Sequence, residues 1–439
     1  MGKYLKILIC FIVADFFFFS TPFAFTHGYN TKEMLAVVGI FLFLGDMYHQ
    51  KRLAITNEFL GLLVYSCIIS LIAVFSSAYH NTQERAYTTY FMSMLVWLSA
   101  AFVVIKSIKW THGKVSIELL ASYLVAISVT QGLIAVIADN YEPLDFFIIK
   151  AVPEMAWCKS VDRLYGLGVN TGLDTGGIRF AVASILCAHI IRIRVEENRA
   201  RTVPLYVLSF LIITFTGNMI ARTTLVGTVI GLAYLLLFIS PFKSSLTTSV
   251  FKTWVWLLME TLTAVIIVVF LYNSDVKFQN RTRFAFEGFF SLVEEGQWRT
   301  GSNDKLMGMY VFPDNPETWL IGDGYFSNPY GDLNYLGELF EGYYQGTDVG
   351  YLRFIFFFGL LGLSVFSLFI IYAGRTCNRL LPGNSLFFFI ITLLNFIIWF
   401  KVATDCFFIL CLFICLGYVK NNLESDEEDE ELPEVQEQA

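Results

Sequence analysis

Three arginines interrupt otherwise apolar stretches of this chain. Arg222 opens one such stretch at the end of Thr216-Gly217-Asn218-Met219-Ile220-Ala221-Arg222-Thr223-Thr224, and Arg179 follows Gly176-Gly177 at the entry to another. Arg353 lies about a turn and a half inside the run that begins at Asp348, in Gly346-Thr347-Asp348-Val349-Gly350-Tyr351-Leu352-Arg353. Charged side chains at the mouth of a helical bundle are costly and tend to mark function. A guanidinium is planar, always charged and able to bind two oxygens at once, so a pyrophosphate at the membrane interface suits it. The plainer use of the same residue is snorkelling to the headgroups of ordinary lipid. Arg163, Arg281, Arg283 and Arg299 fall in connecting segments.

The carboxylates have two readings each. Asp348 stands at a helix start, where it can cap free backbone N–H groups; it can equally serve as a general base toward an acceptor hydroxyl. Asp323, in Gly322-Asp323-Gly324-Tyr325-Phe326, suits a two-glycine turn or a catalytic role. That turn lacks the strand–turn–helix context of a nucleotide-binding fingerprint. Asp15, Asp46 and Glu260 lie within apolar runs and suggest ion coupling, although no internal repeat accompanies them. Gly359 and Gly362 read as close helix-packing positions.

The elements that must position these residues are membrane helices. The 439 residues are 56% hydrophobic and only 15% charged, well below the quarter or so expected of a soluble domain. Apolar runs long enough to cross a bilayer recur along the chain, and without strand alternation they are expected to be α-helices. Twelve spans are predicted, near 5–25, 33–48, 58–78, 87–105, 115–138, 178–191, 203–217, 222–240, 254–272, 348–373, 385–399 and 402–419. Alternate short connections hold sixteen Lys and Arg against four (Lys32, Arg85, Arg222 and Lys401) in the others, which places both termini in the cytoplasm.

The chain then divides into helices 1–5 (1–138), a first external loop (139–177), helices 6–9 (178–272), a large external loop (273–347), helices 10–12 (348–419) and an acidic tail (420–439). The large loop is expected to fold into a cap with short helices near Phe284–Glu295 and Asp332–Tyr344, and its aromatics to serve mainly in packing. Nine acids and no base lie between Glu424 and Ala439, so the net charge of −7 conceals a remainder of about +2; the tail reads as disordered and solvated. No basic stripe or module supports nucleic-acid binding. The eight Cys form no metal-type pair, and only Cys158 falls in an external loop, so neither a disulfide framework nor a metal site is expected.

Four pieces in this order resemble the O-antigen polymerase and ligase superfamily, most closely its Wzy-type polymerases. They are Arg163-Leu164-Tyr165-Gly166 with Gly168-Val169-Asn170, Arg222 in its Gly-rich lead, Leu320-Ile321-Gly322-Asp323-Gly324-Tyr325, and Asp348-x-Gly-Tyr-Leu-Arg353 with Gly359-x-x-Gly362. Ligases carry a His where the spacing here gives Asp348, which favours polymerase over ligase. The resemblance implies a polytopic, all-α helical bundle of the GT-C-like kind in the bacterial inner membrane. It implies metal-independent glycosyl transfer without a cofactor, using undecaprenyl-pyrophosphate-linked oligosaccharides as donor and acceptor, with a chain-length regulator as a further partner. Arg222 and Arg353, with Arg163, Arg179 and Arg299, would hold the pyrophosphate; Asp348 would be the base, with Glu341 and Asp323 behind it. The alternatives are an O-antigen ligase and, in another class, a polysaccharide or ion transporter.

Overall fold

The computed structural model describes residues 2–26, 28–50, 56–161, 163–240, 247–340 and 342–436; side chains are described at all of these except 49, 50, 169, 200 and 422–436. His27, Lys51, Arg52, Lys243 and the candidate base Glu341 therefore lie outside the described residues or their side chains. The chain is all-helical, 76% helix, with no strand among the described residues.

Five helices come first: α1 (Lys3–Phe18), α2 (Thr31–Gln50), α3 (Asn57–Tyr79), α4 (Tyr90–His112) and α5 (Ile117–Asn140). The first long connection holds α6 (Glu142–Ala151) and α7 (Met155–Ser160), and α8 (Leu173–Glu196), α9 (Val203–Ile220), α10 (Thr224–Phe238) and α11 (Thr248–Ser274) follow. The second long connection contains α12 (Val276–Ala285), α13 (Glu287–Glu295), α14 (Gly301–Gly308) and α15 (Pro316–Ile321). The chain ends with α16 (Gly350–Leu380), α17 (Ser385–Ile398) and α18 (Phe407–Gln436).

A helix overlaps each of the twelve expected spans, although α1 stops at Phe18 inside 5–25 and α18 starts only at Phe407 inside 402–419. Among the described residues, six of these helices (α3, α4, α5, α9, α11 and α16) are long and apolar enough to cross a membrane by length and composition. Three more are apolar but shorter: α10, α17 and the Phe407–Asn421 part of α18.

Two compact units divide the chain: residues 1–35 with 104–298, and 36–103 with 299–439. In the first, α8 packs against α5, α9 and α10, and every residue from Gly176 to Ile191 is buried. Small residues allow this: a Cβ on Gly227 would stand 2.3 Å from the Cα of Ala181. In contrast α11 buries only Thr253, so its apolar surface faces outward, as a lipid-facing helix does. In the second unit α16 packs against α3, α15, α17 and α18.

The expected short helix near Phe284–Glu295 is present as α13 and the end of α12, stopped at Gly296 in the left-handed region (φ 71°). The one expected over Asp332–Tyr344 is not. Those described residues form turns, because glycines at 331 and 342 (φ 82° and 89°) break the path and the Asp332 carboxylate accepts from the local Asn334 N–H and from the sequence-distant Gln83 N–H instead.

Candidate functional site

Within the first unit, two of the expected arginines meet. Gly177 admits the α9–α10 turn, since a Cβ there would lie 2.8 Å from the Cβ of Ala221. Ala221 is extended, and the Thr223 hydroxyl donates to Asp174 at 2.8 Å, which fixes the turn. Arg222 between them is mostly buried. Its guanidinium pairs with Glu287 at the start of α13 and lies 4.6 Å from the ring centre of Phe284.

Arg163 approaches the same ring at 3.9 Å. Its position is set by the segment that follows it. Leu164 and Tyr165 are buried, Gly166 N–H donates to Thr171 Oγ1 at 3.0 Å, and Leu167 N–H donates to Gln131 Oε1 at 2.9 Å. Gln131 donates in turn to both carboxylate oxygens of Asp15, at 2.9 and 3.1 Å. Asp15, a candidate for ion coupling, thereby helps anchor the segment behind Arg163. Burial, reinforced by the positive charge of Arg222, holds the Arg163 guanidinium below the usual arginine range.

Arg179 is buried but not directed at this ring. Its Nε donates to the Phe18 carbonyl and its Nη1 to the Thr175 carbonyl at 3.1 Å; it clasps the α1 end to α8.

Within the second unit, α16 is broken. Phe358 (φ −134°, ψ 17°) and Gly359 (φ 65°, ψ −173°) depart from helical geometry. The carbonyls freed by the break are taken up by the Gly-Asp-Gly turn: Asp323 N–H donates to Phe356 O at 2.6 Å and Gly324 N–H to Phe357 O at 3.1 Å. The Ser76 hydroxyl of α3 lies within bonding distance of two carbonyl oxygens, Phe357 at 2.7 Å and Ile321 at 2.9 Å. Gly322 has φ 77°, and a Cβ on it would stand 2.5 Å from the Phe357 backbone. Gly359 is therefore a break point, whereas Gly362 is a close-packing position, directly against the Phe358 ring.

Asp323 turns its carboxylate inward, accepting from the Thr318 hydroxyl and from Tyr344 Oη at 3.1 Å. Burial pushes its carboxyl above the ordinary value, and the two hydrogen bonds offset that only in part.

Arg353, 6% exposed, lies 3.6 Å from the ring centre of Tyr343 and 3.9 Å from that of Phe326. Its Nη2 donates to the Phe326 carbonyl at 3.3 Å and its Nη1 stands 3.7 Å from Asp348 Oδ1. Arg353 Nε has no hydrogen-bond partner among the described residues. Asp348 does not cap α16: the N-cap is Val349, with no side-chain cap. Arg299, also in this unit, forms an exposed pair with Asp304 at 3.1 Å, of the kind that contributes little.

The arrangement gives each unit one arginine station built alike, a desolvated guanidinium against aromatic rings and facing one carboxylate. Glu287, Phe284, Asp174, Ser76, Phe326 and Tyr343 carry no local motif that sequence reasoning could have singled out. Among the described residues no group of three His, Cys, Asp or Glu is placed to hold a metal ion. No protein-family model, curated protein or solved structure matches the chain.

Proposed function

We propose that the chain is a glycosyltransferase of the bacterial inner membrane that joins undecaprenyl-pyrophosphate-linked repeat units into a surface polysaccharide. In this reading α1–α5, α8–α11 and α16–α18 all cross the membrane, the shorter ones included, both termini are cytoplasmic, and the two long connections lie outside. The observation that supports it best is the convergence of Arg163 and Arg222 on the ring of Phe284. Two partly buried guanidinium groups repel; Asp174 and Glu287 offset that in part, and a pyrophosphate, with charge on both phosphates, suits the same pair.

The donor pyrophosphate is held there, where guanidinium donors stabilise the charge that develops on departure. The bond between the donor's anomeric carbon and the phosphate oxygen breaks, and a bond from that carbon to an acceptor hydroxyl forms. The proton of the acceptor hydroxyl passes to a carboxylate base or to water, and undecaprenyl pyrophosphate leaves.

A strain lacking the gene tests this. Single repeat units on the lipid carrier or the cell surface are expected. Full-length polymer stranded on the carrier would make the chain a ligase, and intact units still facing the cytoplasm would make it a flippase.

A further inference from the structure

A cleft of about 360 Å³ opens beside Arg163 in the first unit, walled by residues of α5, α6, α7 and α12. That size sits at the small end of small-molecule sites, roughly 300–1,000 Å³. Arg163 forms one end of it, with Phe284 and Arg222 within reach of the same guanidinium.

The remaining charges on the wall balance: Lys159, Lys277 and Arg281 against Asp139, Glu142 and Asp145. Most are fixed in place. Asp139 pairs with Arg281 at 3.0 Å and Lys277 at 3.2 Å, and Asp145 is held by Lys159 and by the Tyr165 hydroxyl. These contacts keep the Asp145 carboxyl below the ordinary value, although burial opposes them. Glu142 alone among the three carboxylates makes no ion pair to a described residue. Ala135, Ala138 and Leu164 add apolar wall.

Fixed donors and acceptors in near-equal number suit hydroxyl groups, each of which is both. A balanced wall does not call for a charged ligand. The apolar patch suits the C–H face of a sugar ring. We infer that this cleft seats the sugar next to the pyrophosphate, a neutral sugar ring, with Glu142 accepting from its hydroxyls and Arg163 spanning ring and phosphate. The inference rests on the transferase reading and names the substrate unit that the reading leaves open.

The test is equilibrium binding to the full-length protein in detergent micelles. The probes are inorganic phosphate and the 1-phosphates of glucose, galactose, mannose and N-acetylglucosamine. At least one sugar phosphate should bind about tenfold or more tighter than inorganic phosphate. Glu142→Ala should abolish that increment without weakening phosphate binding, and Arg163→Ala should weaken phosphate and sugar phosphates together. Phosphate binding with no sugar increment, or an increment that survives Glu142→Ala, overturns the cleft assignment and leaves the transferase reading standing. Phosphate binding that is absent or indifferent to Arg163→Ala overturns both.

Discussion

Arg222 and Arg353 meet the same electrostatic demand with the same materials. Each guanidinium lies over an aromatic ring, at 4.6 Å for Phe284 and 3.6 Å for Tyr343, and each faces a carboxylate. A cation over a ring keeps its in-plane donors for a ligand, which a lysine ammonium does not reproduce. Arg222→Ala and Arg222→Lys should therefore both shorten the surface glycan while the protein still inserts. One charged hydrogen bond is worth about 1.5–3 kcal/mol, so chain growth should slow by roughly ten- to hundredfold. Glycan length on gels, with membrane abundance as control, reads this; near-normal length in the alanine variant would refute the role. Asp323 makes a pH prediction. Its carboxyl is raised on folding, so the stability it contributes is present at low pH and lost as pH rises through its folded value. The melting temperature of the native protein relative to Asp323→Asn should thus improve on acidification from pH 7, whereas parallel curves would contradict the burial argument. The arginines were legible because a charge within apolar sequence is conspicuous. Their partners were not: Arg222 meets Glu287, and Arg353 meets Phe326, only because the chain folds back between them.

At the level of elements, the decisive feature is the break in α16. Discontinuous membrane helices often bind ions at their exposed ends. Here the freed carbonyls of Phe356 and Phe357 accept instead from Asp323, Gly324 and Ser76, so the break docks a loop. Gly359→Ala should be severe. The backbone there (φ 65°, ψ −173°) is nearly glycine-only and costs roughly 1–3 kcal/mol for other residues. The added Cβ would also stand 2.2 Å from the Leu320 carbonyl. Gly45→Ala in α2, where nothing lies within 4 Å, should be neutral or stabilising by up to about 1 kcal/mol. Thermal unfolding in detergent separates the two; equal melting temperatures would mean the break is not required. Ser76→Ala removes one hydroxyl donor shared by the Phe357 and Ile321 carbonyls, of which Phe357 keeps the Gly324 N–H, and should cost about 0.5–1.5 kcal/mol by the same measurement. Apolar run length gave the positions of the long helices directly. The break escaped because one left-handed glycine leaves the hydropathy of Phe354–Gly362 unchanged, and the Asp332–Tyr344 turns escaped because their glycines act through dihedral angles rather than polarity.

For the whole molecule, charge asymmetry is the feature that orients everything else. Sixteen Lys and Arg in alternate connections against four in the others predict, by the positive-inside bias, that both termini are cytoplasmic. Reporter fusions near residues 160 and 310 should report the outside and fusions near 196 and 380 the cytoplasm; the reverse pattern would place both arginine stations on the wrong face for a flipped, lipid-linked substrate. The apolar helices are legible in sequence because hydropathy is a local property of the chain. The pairing of Arg163 with Arg222 is not, because it depends on glycines 176 and 177 letting a distant turn close in. The transferase assignment is tested most directly by reconstitution. The purified full-length chain is placed in lipid vesicles with undecaprenyl-pyrophosphate-linked repeat units from the source strain, with and without a chelator, and the products are resolved by length. The expected result is a ladder of lipid-linked oligomers with release of undecaprenyl pyrophosphate, unaffected by the chelator and lost in Arg222→Ala. Repeat units that remain single with the native chain would contradict it.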